Sequence, residues 1–416
     1  MRGRELPTCL RFGANLNGTS LEVSQAPAAW QQPQWEDPAE VAQVRDVLSG
    51  LPPLVETDSL ARLRSLLAGV AAGQAQVVQA GDCAEDPAES TAADIGRKAG
   101  LLTVLAGVMS ATTHQPVVRV GRIAGQYAKP RSAPTEWVDG VEIPVYRGHL
   151  VNGPEPALEA RRPDPRRLLA GYHAASQVMA HLAPTPLARI DPDVWTSHEA
   201  LLLDYETPLL RRDRAGRLAL TSTHWPWIGE RTRQLEGAHV ALLAQVINPL
   251  ACKVGPRMEV AELLALCARL DPGREPGRLT LIARMGADAV TELLPPLVRA
   301  VHAAGHPVIW LVDPMHANTV LTAEGRKTRV VETIIREVTA FQLAVRSAGG
   351  VPGGMHLETT PDHVTECVDT QHGTDRIGER YTTLCDPRLN PRQTIAVVSA
   401  WQTQLMTRPG EELCPA

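Results

Sequence analysis

The chain has 416 residues, 44% hydrophobic and 21% charged, with a formal net charge of -5. That balance argues against a general nucleic-acid or anionic-membrane surface while leaving room for a local basic pocket, and no apolar run is long enough to span a bilayer. Seven cysteines, an odd number scattered from Cys9 to Cys414, do not make a secreted disulfide framework, and MRGRELPTCL lacks the apolar core of a secretion signal, so the chain reads as cytoplasmic with mostly reduced thiols.

Residues 1–50 read as an N-terminal arm and first helix. APAAWQQPQWEDP has the Pro, Gln and Ala content of an arm laid over another element. DPAEVAQVRDVLSG then carries helical spacing, with Asp37 as cap and Gly50 as stop. Residues 51–416 alternate short β-type runs with amphipathic helical stretches. The candidate strands are AQVVQAG, QPVVRVGRIA, DVWTSH, WPWIGE, ALLAQVINP, LTLIARMG, PVIWLVDP and GGMHLETT. With only 2 Phe and 5 Tyr, Ala, Leu and Val must supply most of the buried surface. Eight nearly continuous apolar runs separated by helices predict an α/β chain, a (β/α)8 TIM barrel with an N-terminal extension.

Barrel active sites lie at the C-terminal ends of the strands, so polar residues should cluster just after each run. They do. Asp82, Cys83 and Glu85 follow the first; RIAGQYAKPRS after the second supplies Arg122, Lys129 and Arg131. GERTR gives Glu230 and Arg231, CKVGP gives Lys253, and Arg284 ends the sixth run. DPMHANT gives Asp313 and His316, HLETT gives Glu358, and Asp386 follows in CDPRLN. Guanidinium and ammonium groups at this density suit phosphate and carboxylate ligands. Cys83, His316, Glu358 and Asp386 are ligand types for a divalent transition metal and form a set able to polarise a carbonyl. Each also has a plain structural reading: Cys83 a small buried hydrophobe, His316 a satisfied core histidine, the cations a solvated rim. Their coincidence at one barrel mouth weighs against all three together.

Other features are read as structural. His302 and His306 are four apart but precede the seventh strand, at the wrong end of the barrel. SHEALLLDYE has no second His for a zinc motif, and its apolar spacing says helix. RRPDPRR reads as a solvated turn and helix start, and EGRKTRVVETIIREV as a charged lead-in to an amphipathic helix.

The ordered segments QAGDCAE, RIAGQYAKPRS, WTSHEALLLDYE, WIGERTR, KVGP, GRLTLIARMGA, DPMHANT, VTEC and CDPRLN resemble class II 3-deoxy-D-arabino-heptulosonate 7-phosphate (DAHP) synthases over roughly residues 30 to 400. The resemblance implies a (β/α)8 barrel that condenses phosphoenolpyruvate with erythrose 4-phosphate, using a divalent metal such as Mn2+ or Co2+. It implies Cys83, His316, Glu358 and Asp386 as metal ligands. Arg122, Arg231, Lys253 and Arg284 would grip phosphoenolpyruvate with Glu230 beside it, and Lys129, Arg131 and Ser132 would receive the sugar phosphate, Lys129 also lying near the aldehyde and metal. Lys129 and Glu230 are the implied catalytic pair, and a homo-oligomer, a dimer or larger, is expected. Cys385 precedes the implied ligand Asp386, so Cys83 and Cys385 should meet at the mouth. The short frame, with little room for inserted helices around residues 181–194, resembles members that feed secondary pathways such as phenazine formation. Ala80 and Ala317 stand where many relatives have Gly. Two readings stay open beside this one: an aminoDAHP synthase acting on an imino sugar phosphate, and a metal-dependent barrel hydrolase.

Overall fold

The computed structural model describes residues 27–138, 140–183, 194–371 and 377–402. Eight parallel strands close a barrel: β1 (Gln76–Gly81), β2 (Val117–Arg122), β3 (Trp195–Glu199), β4 (Trp225–Ile228), β5 (Leu250–Val254), β6 (Leu279–Ala283), β7 (Ile309–Val312) and β8 (Pro352–Glu358). Each pairs with its sequence neighbours and β8 returns to β1, with Gly81 opposite both Arg122 and Glu358. Seven of these strands overlap the predicted runs. The fifth does not: ALLAQVINP begins inside a short helix, Ala238–Leu243, and the strand is the following LACKV. A continuous apolar run looks alike to either element when its length is borderline, and periodicity alone does not arbitrate.

Side chains alternate across each strand, and the two phases pack into different cores. Val77, Val118, Val120, Trp195, Trp225, Trp227, Ala251, Ile282, Ile309 and Leu311 fill the barrel interior. Val78, Ala80, Cys252, Val254, Leu281, Ala283, Trp310, Val312, Met355 and Leu357 face the helical layer. Continuing the inward phase to the strand ends selects Arg122, Glu199, Lys253, Arg284, Asp313 and Glu358. The same two-residue period that builds the core therefore delivers the charges to the mouth.

Helix α1 (Pro38–Gly50) starts where Asp37 accepts from the amides of Ala39 and Glu40, the predicted cap. Helix α2 (Thr57–Ala71) sends Leu63, Leu67 and Val70 into the barrel interior cluster, closing its N-terminal end. The stretch just before α1 is tied down: Gln32 bonds Leu201 and Leu203, and Trp35 Nε1 donates to Asp204 at 2.8 Å. Asp204 lies in the one-turn helix Leu203–Glu206, which is all that becomes α-helix in SHEALLLDYE, because the chain is still extended through Glu199. Three two-stranded hairpins were not read from the sequence: Thr135–Val138 with Val141–Pro144, Leu210–Arg212 with Leu218–Leu220, and Thr319–Leu321 with Lys327–Arg329. Their strands are three or four residues long, too short to show a period. Arg161 of RRPDPRR also departs from the solvated reading, since it is buried and its guanidinium holds Glu136 and the Pro154 and Glu155 carbonyls.

Candidate active site at the barrel mouth

A cavity of about 500 Å³ opens at the C-terminal ends of the strands. Of the predicted residues, Lys129, Arg131, Ser132, Glu230, Arg231, Lys253, Arg284, His316 and Asp386 line it. Arg122, Cys83 and Glu358 form the fully buried layer behind that wall. The structure thus brings the whole predicted set together, in two shells.

The buried shell converges on three donors. Ligand atoms of Cys83, Glu358 and Asp386 all lie within 4.8 Å of one another, and His316 Nε2 is 3.2 Å from Glu358 Oε1. The Lys129 ammonium sits among them, 2.6 Å from Cys83 Sγ, 3.1 Å from Asp386 Oδ2 and 3.4 Å from Glu358 Oε1. Burial alone would raise the Glu358 carboxyl, but His316, Lys129 and Arg329 hold it well below the usual range. Asp386 is held down in the same way by Lys129, Arg329 and Lys327 against burial. Burial pushes the Cys83 thiol up, helped by its hydrogen bond with Cys385 and by Glu358. One thiol and two carboxylates drawn around the Lys129 ammonium suit a borderline divalent metal, so these three residues fit a metal ion, while His316 stands beside Glu358 but outside the mutually close group. His316 is oriented toward that group, because its Nδ1 lies 2.7 Å from Asp313 Oδ2, leaving Nε2 toward Glu358.

Neighbouring charges hold this shell rigid. Arg122 reaches the Asp82 carbonyl through Nε at 3.0 Å and Glu358 Oε1 through Nη2 at 3.1 Å. Its Nη1 meets His356 Nε2 at 2.5 Å. Burial, with Lys253 and Arg122 nearby, keeps His356 well below its ordinary value, hence neutral. Its Nε2 can then accept from Arg122 while Nδ1 donates to Gln79 Oε1 at 2.7 Å. The Arg122 guanidinium also stacks 5.1 Å over the Trp227 ring.

The outer wall carries the other cations. Lys253 pairs with Asp313 at 2.5 Å, and Arg284 donates to the His316 carbonyl at 3.3 Å. Arg231 donates to Ser132 Oγ at 2.6 Å, and both Arg231 and Lys253 lie close enough to Glu199 to oppose the rise that burial gives its carboxyl. Lys327 and Arg329 were missed. The stretch EGRKTRVV does lead into a helix, Val331–Ser347, but its charges also serve the mouth: its hairpin points Lys327 to Asp386 at 2.7 Å and buries Arg329 against Glu358 Oε2 at 2.8 Å. Glu199 was missed as well, because the predicted third strand stopped at His198. Its parity with Trp195 and Ser197 was the available signal. His302 and His306 lie at the end of helix Val290–Ala303 and before β7, away from the mouth as expected.

The chain was compared with known proteins. A model of the class-II DAHP synthetase family matches residues 20–191 and 188–400. A Pseudomonas fluorescens protein named probable phospho-2-dehydro-3-deoxyheptonate aldolase is 56% identical over 90% of this chain and 94% of its own length. A phospho-2-dehydro-3-deoxyheptonate aldolase of Streptomyces coelicolor is 42% identical over 89% of this chain and 93% of its own. Among solved structures, the enzyme of that name from Francisella tularensis covers 86% of this chain and 94% of its own, with a TM-score of 0.54 and 14% identity, a likeness of fold.

Proposed function

The chain belongs to the class II DAHP synthase family, and from that premise we propose how its mouth carries out the condensation of phosphoenolpyruvate with erythrose 4-phosphate to DAHP and phosphate. The observation that carries the reading is one cavity lined by Lys129, Arg131, Arg231, Lys253, Arg284 and Lys327, with the Cys83, Glu358 and Asp386 donors gathered at its wall. An enzyme joining two phosphorylated substrates needs cations for both, whereas a hydrolase needs them for one. The relatives' names favour neither the hydrolase nor the imino-sugar reading.

Arg231, Lys253 and Arg284 bind phosphoenolpyruvate, with Arg122 supplying positive charge from behind. Arg131 and Ser132, joined by Lys327, bind the sugar phosphate. Fixing both anions sets the enol C3 against the aldehyde and offsets the repulsion between substrates without a reorganisation cost at the moment of reaction. Cys83, His316, Glu358 and Asp386 would hold Mn2+ or Co2+, whose Lewis acidity polarises the aldehyde oxygen. Lys129, already among these donors, is placed to hold or supply a proton at that oxygen as it becomes an alkoxide. Asp313 keeps Lys253 and His316 in register, because it bonds both.

Product mass after incubation with both substrates tests the reading: DAHP and one phosphate per turnover are expected. Release of phosphate from phosphoenolpyruvate alone would point to hydrolysis, and an amino-substituted product to the imino sugar. Chelation should abolish condensation and Mn2+ or Co2+ restore it, while His316→Ala should not recover; full activity in chelator would remove the metal from the mechanism. Supply of a secondary pathway, a cytoplasmic setting and homo-oligomeric assembly belong to the same proposal. No helix among the described residues is long and apolar enough to cross a membrane.

A further inference from the structure

Glu199 ends β3 on the inward phase and lines the cavity. Its backbone amide donates to Gln126 Oε1 at 2.9 Å. Glu199 Oε1 is buried and accepts no hydrogen bond from the described residues. Space for that carboxylate is made just after β4: a Cβ at Gly229 would collide with Glu199 Oε1. Burial raises its carboxyl, while Lys129 from the loop after β2, Lys253 on β5, Arg231 after β4 and His316 after β7 act against the rise.

The other three carboxylates lining the cavity are paired with cations: Glu136 with Arg161, Asp386 with Lys129 and Lys327, and Glu230 with Arg233. Glu230 Oε1 takes both Nε and Nη2 of Arg233, at 3.1 and 2.8 Å, and Arg233 is held in turn by Glu262. Glu230 Oε2, like Glu199 Oε1, is buried without a hydrogen-bond partner among the described residues, but the other Glu230 oxygen is held by Arg233. Glu199 has no such guanidinium fork and is the freer of the two to take a proton from water.

We propose that Glu199 is the general base for the water that adds to C2 of phosphoenolpyruvate, a role that rests on the synthase reading. When C3 bonds to the aldehyde carbon, C2 becomes electron-deficient and the aldehyde oxygen becomes an alkoxide. The water oxygen then bonds to C2, and one of its protons passes to Glu199. That proton returns to the alkoxide. The bond between C2 and the phosphate oxygen breaks, the C2 hydroxyl becomes the ketone, and its proton leaves on hydrogen phosphate, so charge and atoms balance with no other reactant. A base must be ionised to act, so the rate falls as pH drops through the Glu199 pKa, and a raised pKa puts that limb above the ordinary carboxylate range.

The test compares wild-type holoenzyme with Glu199→Gln and Glu199→Asp, each loaded with Mn2+. Glu199→Gln should melt like wild type, bind phosphoenolpyruvate within about threefold by tryptophan fluorescence, and lose kcat by about 100-fold or more. Its residual rate should lack the acidic limb that wild type shows and Glu199→Asp keeps. A Glu199→Gln enzyme that retains more than about a third of kcat, or the limb itself, overturns the assignment. Should the Gln variant not fold, Glu199→Asp decides: lowered kcat with unchanged KM and a displaced limb supports the role, and wild-type kcat and limb overturn it. Wild type that makes no DAHP sinks the parent reading and the assignment with it, and product mass reports that outcome separately.

Discussion

Lys253 sits under two opposing influences, burial and the Asp313 carboxylate, with Arg122 and Arg284 adding to burial, and the result is an ammonium pushed down to about 8. Protonated below that pH it can hold an anion; neutral above it cannot. The kcat/KM for phosphoenolpyruvate should therefore fall as pH rises through about 8 in the free enzyme, measured from about pH 7 to 9.5, and Lys253→Arg should move that fall to higher pH. A flat profile in wild type would remove Lys253 from the grip. The thiols give a second residue-scale expectation. Cys83 and Cys385 hydrogen-bond one another at the mouth, and that bond, with Lys129 and Arg131, draws Cys385 below its ordinary value despite burial. A lowered thiol pKa favours the thiolate that oxidises. Air oxidation of metal-free protein should inactivate it by joining Cys83 to Cys385, reductant plus Mn2+ should restore it, and Cys385→Ser should resist. Peptide maps that keep both thiols free after inactivation would end this account.

At the scale of elements, the segments that carry the proposed ligands Cys83 and Asp386 are joined by a buried brace. Asp82, beside Cys83 at the end of β1, pairs with Arg388 at 2.7 Å, and Arg388 in the segment carrying Asp386 also binds Glu366 at 2.9 Å. Glu366 further accepts from the Thr382 and Arg388 amides, and Lys98 of helix Ala92–Thr113 reaches Asp82 at 2.9 Å. Asp82, Glu366 and Arg388 are all buried. Removing the cation leaves Glu366 with uncharged donors among the described residues and Asp82 with Lys98 as its remaining cation, a loss of up to about 3–5 kcal/mol for a broken buried pair. Arg388→Met should therefore lower the melting temperature and weaken Mn2+ binding in a calorimetric titration, while Arg388→Lys keeps part of both; wild-type metal affinity in the Met variant would show that the brace supports only the fold. None of this pairing was legible beforehand, because Asp82 and Arg388 lie 306 positions apart and each has ordinary surface chemistry on its own.

For the whole molecule, the expected lack of inserted helices bears on control. Residues 181–183 complete helix Arg166–Leu182 and its cap, and the rest of the 181–194 stretch, save Val194, lies outside the described residues. Millimolar phenylalanine, tyrosine or tryptophan should leave the steady-state rate nearly unchanged; strong inhibition by any one would show that control survives in the short frame. The barrel itself was readable because its cause is local: a strand buried on both faces needs a continuous apolar run, and a polar residue just beyond such a run can only sit at the mouth. That is why Cys83, Lys253, His316 and Glu358 could be picked out by position, and why ordered motifs then carried the family. What the sequence by itself determined was the architecture, the reaction and the inventory of charged groups at one end of the barrel. Only the tertiary structure decided their partners: Arg231 beside Ser132, Lys327 and Arg329 brought in by a hairpin, Glu230 tied to Arg233, and Glu199 Oε1 left without a hydrogen bond among the described residues. The physical reason is that strand parity is written in consecutive residues, whereas a charge's partner is set by barrel closure, which brings together segments that share no local pattern.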